Sequence, residues 1–215
     1  MRRLRLPSLV TAMCLLAAAD ASHAAEPREW RFKVFLEDKP IGEQVFRLSE
    51  EAGRALLLTE ASFDVKILFF TAYTYRHRNE EIWRDGCLER IESTTDDNGE
   101  PFRLLGQAAS DGFVVETANR RATLPSCVRS FAYWNVDYLN VPKLLNSQTG
   151  EYENVSMRSL GEESLDVRGS PLRARRYALE GPKLRIDLWY SLDNDWLALE
   201  SASKGGRKLR YVRES

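Results

Sequence analysis

His77 has the widest chemical range of any residue in this chain. It sits in Arg76-His77-Arg78, with Glu80 and Glu81 close behind. An imidazole titrates near neutral pH and can act as general base, general acid or metal ligand. Base catalysis also needs a partner within reach and a tuned pKa. In an extended chain His77 and Glu81 share a face but stand some distance apart. Serines are plentiful, yet none lies in a Gly-x-Ser-x-Gly turn. Asp187 and Glu200 could be nominated as the acid pair of a glycosidase, but nothing in the sequence selects them. A small-molecule hydrolase using His77 is therefore the third of three readings, and no catalytic residue is assigned.

Sulfur chemistry is the next candidate. The chain has three cysteines, Cys14, Cys87 and Cys127. There is no Cys-x-x-Cys pair, and His77 is the one histidine after residue 24. His77, Cys87 and Cys127 supply only three ligands of the usual kind, which argues against a zinc site. No metal or cofactor is expected. In an oxidising compartment, Cys87 and Cys127 read first as a disulfide and second as free thiols.

The N-terminus sets that compartment. Arg2, Arg3 and Arg5 precede an apolar run from Leu9 to about Ala19, and Ser22-His23-Ala24 offers small residues at a cleavage site. This is the pattern of a secretory signal peptide over residues 1–24, cleaved after about Ala24. The run is short for a membrane span, which needs about 20 residues. Met13 before Cys14 is not the small residue a lipoprotein signal wants, so no lipid anchor is expected. Removing residues 1–24 takes away three arginines and one aspartate, and the formal charge moves from −1 to −3. The remaining charges are mixed in sign. No basic stripe suggests nucleic acid, and no polybasic segment suggests anionic lipid. Residues 25–215 are expected to form a single β-rich domain in the periplasm, without a transmembrane span.

Strands must position whatever the chain does. In Glu29–Glu37, Trp30, Phe32, Val34 and Leu36 point one way and Arg31 and Lys33 the other. Turn signals recur at Asp38–Gly42, Asp96–Gly99, Ser110–Gly112, Asp166–Pro171, Gly181-Pro182, Asp193–Asp195 and Lys204–Gly206. Short strands at this spacing argue an antiparallel sheet or barrel. One segment departs from it. In Cys127–Asn146, Phe131, Trp134, Tyr138 and, offset, Leu139 fall at helical spacing. Ser126 or Ser130 would cap that helix, and Pro142 would stop it near Asn140 or Val141. The expected fold is mainly β: a single curved antiparallel sheet or half-barrel, a meander, around one short aromatic α-helix.

The stretch FDVKILFFTAYTYRHRNEEIW, Phe63 to Trp83, reads as one strand with a broken rule. One face carries Phe63, Val65, Ile67, Phe69, Thr71, Tyr73 and Tyr75. The other starts charged at Asp64 and Lys66, turns apolar at Leu68 and Phe70, and ends at Arg76. Something must cover Leu68 and Phe70, and the aromatic helix is the natural cover.

The strings FDVKILFFTAYTYRHRNEEIWRDGCL, TDDNGE, CVRSFAYWN, LLNSQTGEY, GPKLRIDLWYS and WLALES carry a resemblance. Together they resemble an exported proteobacterial family defined by a domain of unknown function, the one labelled six-one-three-four. The resemblance spans nearly all of the chain after residue 24. It implies export and a cysteine in each of two motifs, matched here by Cys87 and Cys127. It implies no activity. More distantly, the order strand, turn, IDLWYS, turn, WLALES, turn, strand is similar to periplasmic lipid-handling half-barrels of the LolA type.

These readings converge on a non-enzymatic periplasmic protein that binds or carries a lipid or other apolar small molecule. Its site would lie between helix and sheet, lined by Leu68, Phe70, Tyr73, Phe131, Trp134, Tyr138 and Trp189. Arg76, His77, Arg78, Asn135 and Asp187 would stand at its mouth, the arginines suited to a phosphate or carboxylate head group. Small barrels bind ligands in this way, with few polar groups at the rim. The alternative is a structural or protein-interaction component of the cell envelope, its core already filled by these aromatics.

Overall fold

The computed structural model describes residues 26–67, 70–202 and 205–214. Residues 1–24, expected to be a signal peptide, and Leu68 lie outside the described residues. Eight strands come first: β1 (Arg28–Leu36), β2 (Lys39–Glu51), β3 (Arg54–Ile67), β4 (Phe70–Arg84), β5 (Cys87–Asp97), β6 (Glu100–Ala109), β7 (Gly112–Thr117) and β8 (Arg120–Leu124). Residues 125–155 then form an insertion. It carries α1 (Val136–Leu139) and a ribbon of β9 (Lys143–Leu145) paired with β10 (Tyr152–Asn154). The chain closes with β11 (Ser156–Val167), β12 (Ser170–Gly181), β13 (Leu184–Ser191), β14 (Trp196–Ala202) and β15 (Lys208–Arg213).

All strands but β9 and β10 join one antiparallel sheet of 13, in the order β11-β12-β13-β14-β15-β1-β2-β3-β4-β5-β6-β7-β8. The two end strands do not pair, so the sheet is curled and open. The expected mainly β architecture is therefore what the chain adopts. Strands adjacent in sequence pair within β1–β8 and within β11–β15, the insertion leaves β8 and β11 at opposite edges, and the last strand returns to the first, from Phe32↔Arg213 to Leu36↔Leu209. No helix among the described residues is long and apolar enough to cross a membrane.

Alternation builds the sheet as the sequence predicts. Trp30, Phe32, Val34 and Leu36 are buried on the concave face, while Glu29, Arg31 and Lys33 lie on the convex one. Asn98 and Gly99 both take positive φ, 57° and 88°, as the tight turn of a twisted hairpin requires. Gly106 does a different job. A Cβ there would sit 2.6 Å from both Ile91 and Phe113, so its bareness lets β5, β6 and β7 pack one aromatic ring across them.

The stretch Phe63–Trp83 differs from expectation. It is two strands, with the chain reversing between Ile67 and Phe70. Its face pattern changes because the chain turns back on itself. No Gly, Pro, Asn or Asp marks the reversal, so the usual turn chemistry was absent from the sequence.

The insertion fills the concave face. Val128, Ala132, Trp134, Val136, Leu139, Leu144, Leu145 and Val155 share one core with Trp30, Phe46, Trp83, Leu88, Ile91, Leu104, Phe113 and Trp196 of the sheet. Fully burying each large side chain is worth roughly 1.5–3 kcal/mol. Backbone bonds pin the insertion: Leu88 N–H donates to Val128 O at 2.9 Å, and Leu145 N–H to Arg129 O at 2.8 Å. Cys87 and Cys127 are joined as a disulfide, with Cα atoms 5.1 Å apart.

These tethers explain a second difference. The aromatic helix is only the four residues Val136–Leu139, capped by Asn135, whose side chain accepts from Asp137 N–H at 3.1 Å. Neither Ser126 nor Ser130 caps it. Residues 127–130 are bonded to sheet and ribbon instead, so their backbone is committed before a longer helix can form.

In the chain-entropy account a disulfide closing a loop of this size stabilises the fold by about 4 kcal/mol. Cys87→Ala/Cys127→Ala should lower the urea unfolding free energy by about 2–4 kcal/mol. An unchanged midpoint would show that the packed insertion needs no covalent tether.

Candidate functional site

Strand β4 lays out the interior. Tyr73, Tyr75, His77, Asn79, Glu81 and Trp83 alternate onto the concave face. Across the register, Phe63, Tyr75 and Asp97 stand in one row, then Ala61, His77 and Thr95, then Thr59, Asn79 and Ser93, then Leu57, Glu81 and Ile91. The buried polar residues Thr59, His77, Asn79, Glu81, Ser93 and Thr95 thus form a band across β3, β4 and β5. Ser130 of the insertion is buried too.

This band is internally bonded. Asn79 Nδ2 donates to Glu81 Oε1 at 2.9 Å, and Trp83 Nε1 to Glu81 Oε2 at 2.8 Å. Ser93 Oγ donates to Ser147 O. Burial raises the Glu81 carboxyl above the ordinary range, against the pull of Asn79, Ser130 and Trp83. Four buried atoms, Asn79 Oδ1, Trp134 Nε1, Arg176 Nε and Asp187 Oδ1, have no hydrogen-bond partner among the described residues.

His77 is 9 % exposed, and its Nδ1 lies 2.8 Å from Thr95 Oγ1. Burial lowers its pKa to about 4, so the ring is neutral at neutral pH. Its partner is a threonine, where a triad would use a carboxylate. Among the described residues no carboxylate is bonded to His77, so this hydroxyl–imidazole pair lacks the orienting acid of a triad.

Above the band, toward the β3–β4 tip, the concave face becomes aromatic. Val34, Leu36, Ile41, Ala61 and Phe63 form a second apolar cluster, flanked by Val65, Tyr75, Leu209 and Tyr211. No residue of the insertion belongs to it. Phe63 stacks on Tyr75 with centroids 5.4 Å apart and meets Tyr211 edge-on at 6.3 Å. Tyr73 OH donates to Asp97 Oδ1 at 2.6 Å, and Tyr75 OH to Gln148 Oε1 at 3.1 Å. Gln148 Nε2 donates in turn to Asp97 Oδ2 at 3.2 Å. Burial holds the phenols of Tyr75, Tyr133 and Tyr211 above the ordinary tyrosine range, so all three stay protonated. Tyr133 and Tyr211 are half-buried, and both phenols interact electrostatically with that of Tyr75.

The candidate residues named from sequence fall in four places. Tyr73 and His77 line the concave face. Phe131, Trp134, Asn135 and Tyr138 belong to the insertion, where Trp134 and Tyr138 pack on Trp83 at 5.9 and 5.2 Å. The helix–sheet contact expected to hold a ligand is thus ring against ring. Arg76, Asp187 and Trp189 lie on the convex face: Arg76 pairs with Asp64 at 2.8 Å, and Arg176 bridges Asp187 at 2.6 Å beneath the Trp189 ring. Period-two alternation puts Arg76 and Arg78 on the side opposite His77, so they are not mouth groups beside it. A shallow depression of about 680 Å³ on that convex side is walled by Glu60, Arg76, Arg78, Thr94, Asp96 and Arg103. Phe70, at the start of β4, is exposed and not covered by the helix.

The profile of the family described as Domain of unknown function (DUF6134) matches residues 32–214. The chain belongs to that family. No curated protein matches it. Among solved structures it is similar to the beta-barrel-like protein of Domain of Unknown Function DUF1849 from Brucella abortus, with a TM-score of 0.64 at 10 % identity. The match covers 87 % of this chain and 95 % of that one, and at this identity it establishes a shared fold alone.

For this DUF6134 chain, sequence reasoning missed Tyr133, Tyr211, Asp97 and Gln148 as partners of Tyr73 and Tyr75. Tyr211 meets Phe63 only because β15 returns to β1, and no local pattern carries that pairing. Gln148 lies in the insertion, where no periodicity aims it. Tyr75 carried a signal, since it shares a face with Tyr73 and His77.

Two outcomes test this geometry. Trp134→Ala should cost about 3–5 kcal/mol, as removal of a buried ring does, and a loss under 1 kcal/mol would mean that the insertion is loosely held. His77 gains its proton more easily unfolded, at pKa 6.5, than folded, at about 4. Its contribution is present above pH 6.5 and is lost as pH falls toward 4. Wild-type stability relative to His77→Gln should therefore drop by about 3 kcal/mol over that window, and a pH-independent difference would refute a buried neutral ring.

Proposed function

We propose that this is a non-enzymatic exported protein that binds a lipid or other apolar small molecule. The ligand lies on the concave face above the polar band, against Phe63, Val65, Tyr75 and Tyr211. Carrying this reading is the apolar cluster of Val34, Leu36, Ile41, Ala61 and Phe63, to which no described residue of the insertion belongs, flanked by the phenols of Tyr75 and Tyr211. Apolar walls with a few convergent donors are the usual makeup of small-molecule sites. The phenols are neutral donors, suited to a carbonyl, ester or hydroxyl on the ligand. With Arg76 and Arg78 on the other face, this reading gives no role to an arginine-bound phosphate.

Export to the periplasm fits the basic and apolar N-terminus and the disulfide. The second reading, an envelope interaction protein, draws on the continuous core between sheet and insertion and on the exposed Leu160, Leu172, Leu192 and Val212.

Native mass spectrometry of the chain recovered from periplasm, with solvent extraction, tests the first reading. A stoichiometric apolar molecule is expected, and Tyr211→Ala should reduce its occupancy at least fivefold. A bare mass, even after incubation with envelope lipids, would favour the interaction protein.

A further inference from the structure

Gln148 reaches the concave face from a loop that is itself fixed. The Asn146 side chain accepts from Gln148 N–H at 2.9 Å and from Thr149 N–H at 3.1 Å, and Gly150 N–H donates to Asn146 O at 2.9 Å. Ser147 O accepts from Ser93, and Gly150 O from Arg120 at 2.6 Å. Gly150 is wedged against the sheet, where a Cβ would stand 2.7 Å from Thr117 and 2.9 Å from Leu104. The backbone of residues 146–150 is thus held at several points. The Gln148 side chain is held at its amide, by Tyr75 and Asp97.

That amide meets two groups of opposite demand. Tyr75 OH donates to its oxygen at 3.1 Å, and its nitrogen donates to Asp97 Oδ2 at 3.2 Å. A carboxylate only accepts, so the nitrogen must face Asp97 and the oxygen Tyr75. The clasp is stiffened from behind. Tyr73 OH donates to Asp97 Oδ1 at 2.6 Å, and Thr95, 2.8 Å from His77 Nδ1, also bonds the Tyr75 hydroxyl. The Tyr75 ring stacks on Phe63 at the flank of the apolar cluster. One donor and one acceptor therefore stand side by side at the edge of an apolar wall, and a side chain on a rotatable arm spans them.

We propose that this clasp holds the polar end of the ligand, that Gln148 is its internal stand-in, and that the ligand carries a primary carboxamide or a lactam on an apolar body. This rests on the small-molecule reading of the concave face and narrows its chemistry. A primary amide or lactam offers C=O and N–H on one edge, as Gln148 does. A trans secondary amide points them opposite ways. An ester or ketone has no N–H and would leave Asp97 unmet, and a carboxylate would be repelled by it. An alcohol has one oxygen to serve both groups. Displacing Gln148 exchanges its hydrogen bonds for others of the same kind, so the apolar body supplies the net gain. The arm also lowers apparent affinity, because it must leave before the ligand seats.

Isothermal titration calorimetry with octanamide, methyl octanoate, octan-1-ol and octanoate tests it. Gln148→Ala should bind octanamide about fivefold tighter than wild type does, since the competing arm is gone, with an unchanged urea midpoint. In that variant octanamide should bind about tenfold tighter than the ester, the alcohol or the acid anion, the worth of one hydrogen bond to a charged group. Adding Tyr75→Phe should remove that preference. If Gln148→Ala lowers the urea midpoint, Gln148→Met, which keeps the length and removes both polar atoms, gives the same comparison. Equal binding of amide and ester, an unchanged affinity in the Gln148 variant, or a preference that survives Tyr75→Phe overturns the clasp and leaves the small-molecule reading standing. No binding of any probe also overturns the clasp, and a bare native mass then removes the small-molecule reading with it.

Discussion

The concave face of an open thirteen-stranded sheet cannot bury itself. Strand curl brings Trp30, Phe46, Trp83 and Trp196 toward a common centre, but a sheet this wide leaves a void that only more chain can fill. The insertion fills it, and the decisive contact is Trp83 against Trp134 and Tyr138. That contact fixes where the insertion starts, because the disulfide and the Val128 bond hold it to the first residues of β5. It also fixes where the insertion stops short. Below the polar band the insertion and the sheet share one core, and above it the concave face carries the smaller cluster around Phe63 that no described residue of the insertion joins.

The polar band marks the boundary between those two regions. Thr59, His77, Asn79, Glu81, Ser93 and Thr95 lie where an all-apolar core would be simpler. Their bonds are specific: His77 to Thr95, Asn79 and Trp83 to Glu81. Buried polar groups that satisfy one another restrict how a partner surface can seat, because a shifted seating leaves donors and acceptors unmet. On this view the band sets the depth of the insertion, with Ser93 bonded to Ser147 as its stop.

The sequence carried the architecture well and the site poorly. Alternation in Trp30, Phe32, Val34 and Leu36 and punctuation at Asn98-Gly99 are local signals, and they were legible. So was the pairing of Cys87 with Cys127, which followed from the expectation of an oxidising compartment. The reversal after Ile67 was not legible, because no residue there prefers a turn. The helix came out shorter than its aromatic spacing because tethers at residues 127–130 outrank local propensity. Arg76 and His77, adjacent in sequence, fall on opposite faces. That is obvious once a strand is assumed, yet it separates two groups that sequence proximity had placed at one mouth. The meeting of Phe63 with Tyr211 depends on a pairing across almost the whole chain.

That pairing has a consequence for the order in which the molecule can be made. β15, the last strand to be synthesised, sits in the interior of the sheet, between β14 and β1. Until residues 208–213 exist, the strands from β1 to β8 and those from β11 to β14 are two separate ribbons, each with a bare hydrogen-bonding edge. Antiparallel neighbours within each ribbon can form as the chain emerges. The curl that unites them waits for β15, so the sheet closes through the pairing of greatest sequence separation, residues 32–36 with residues 209–213, and bears its largest loop-closure cost there.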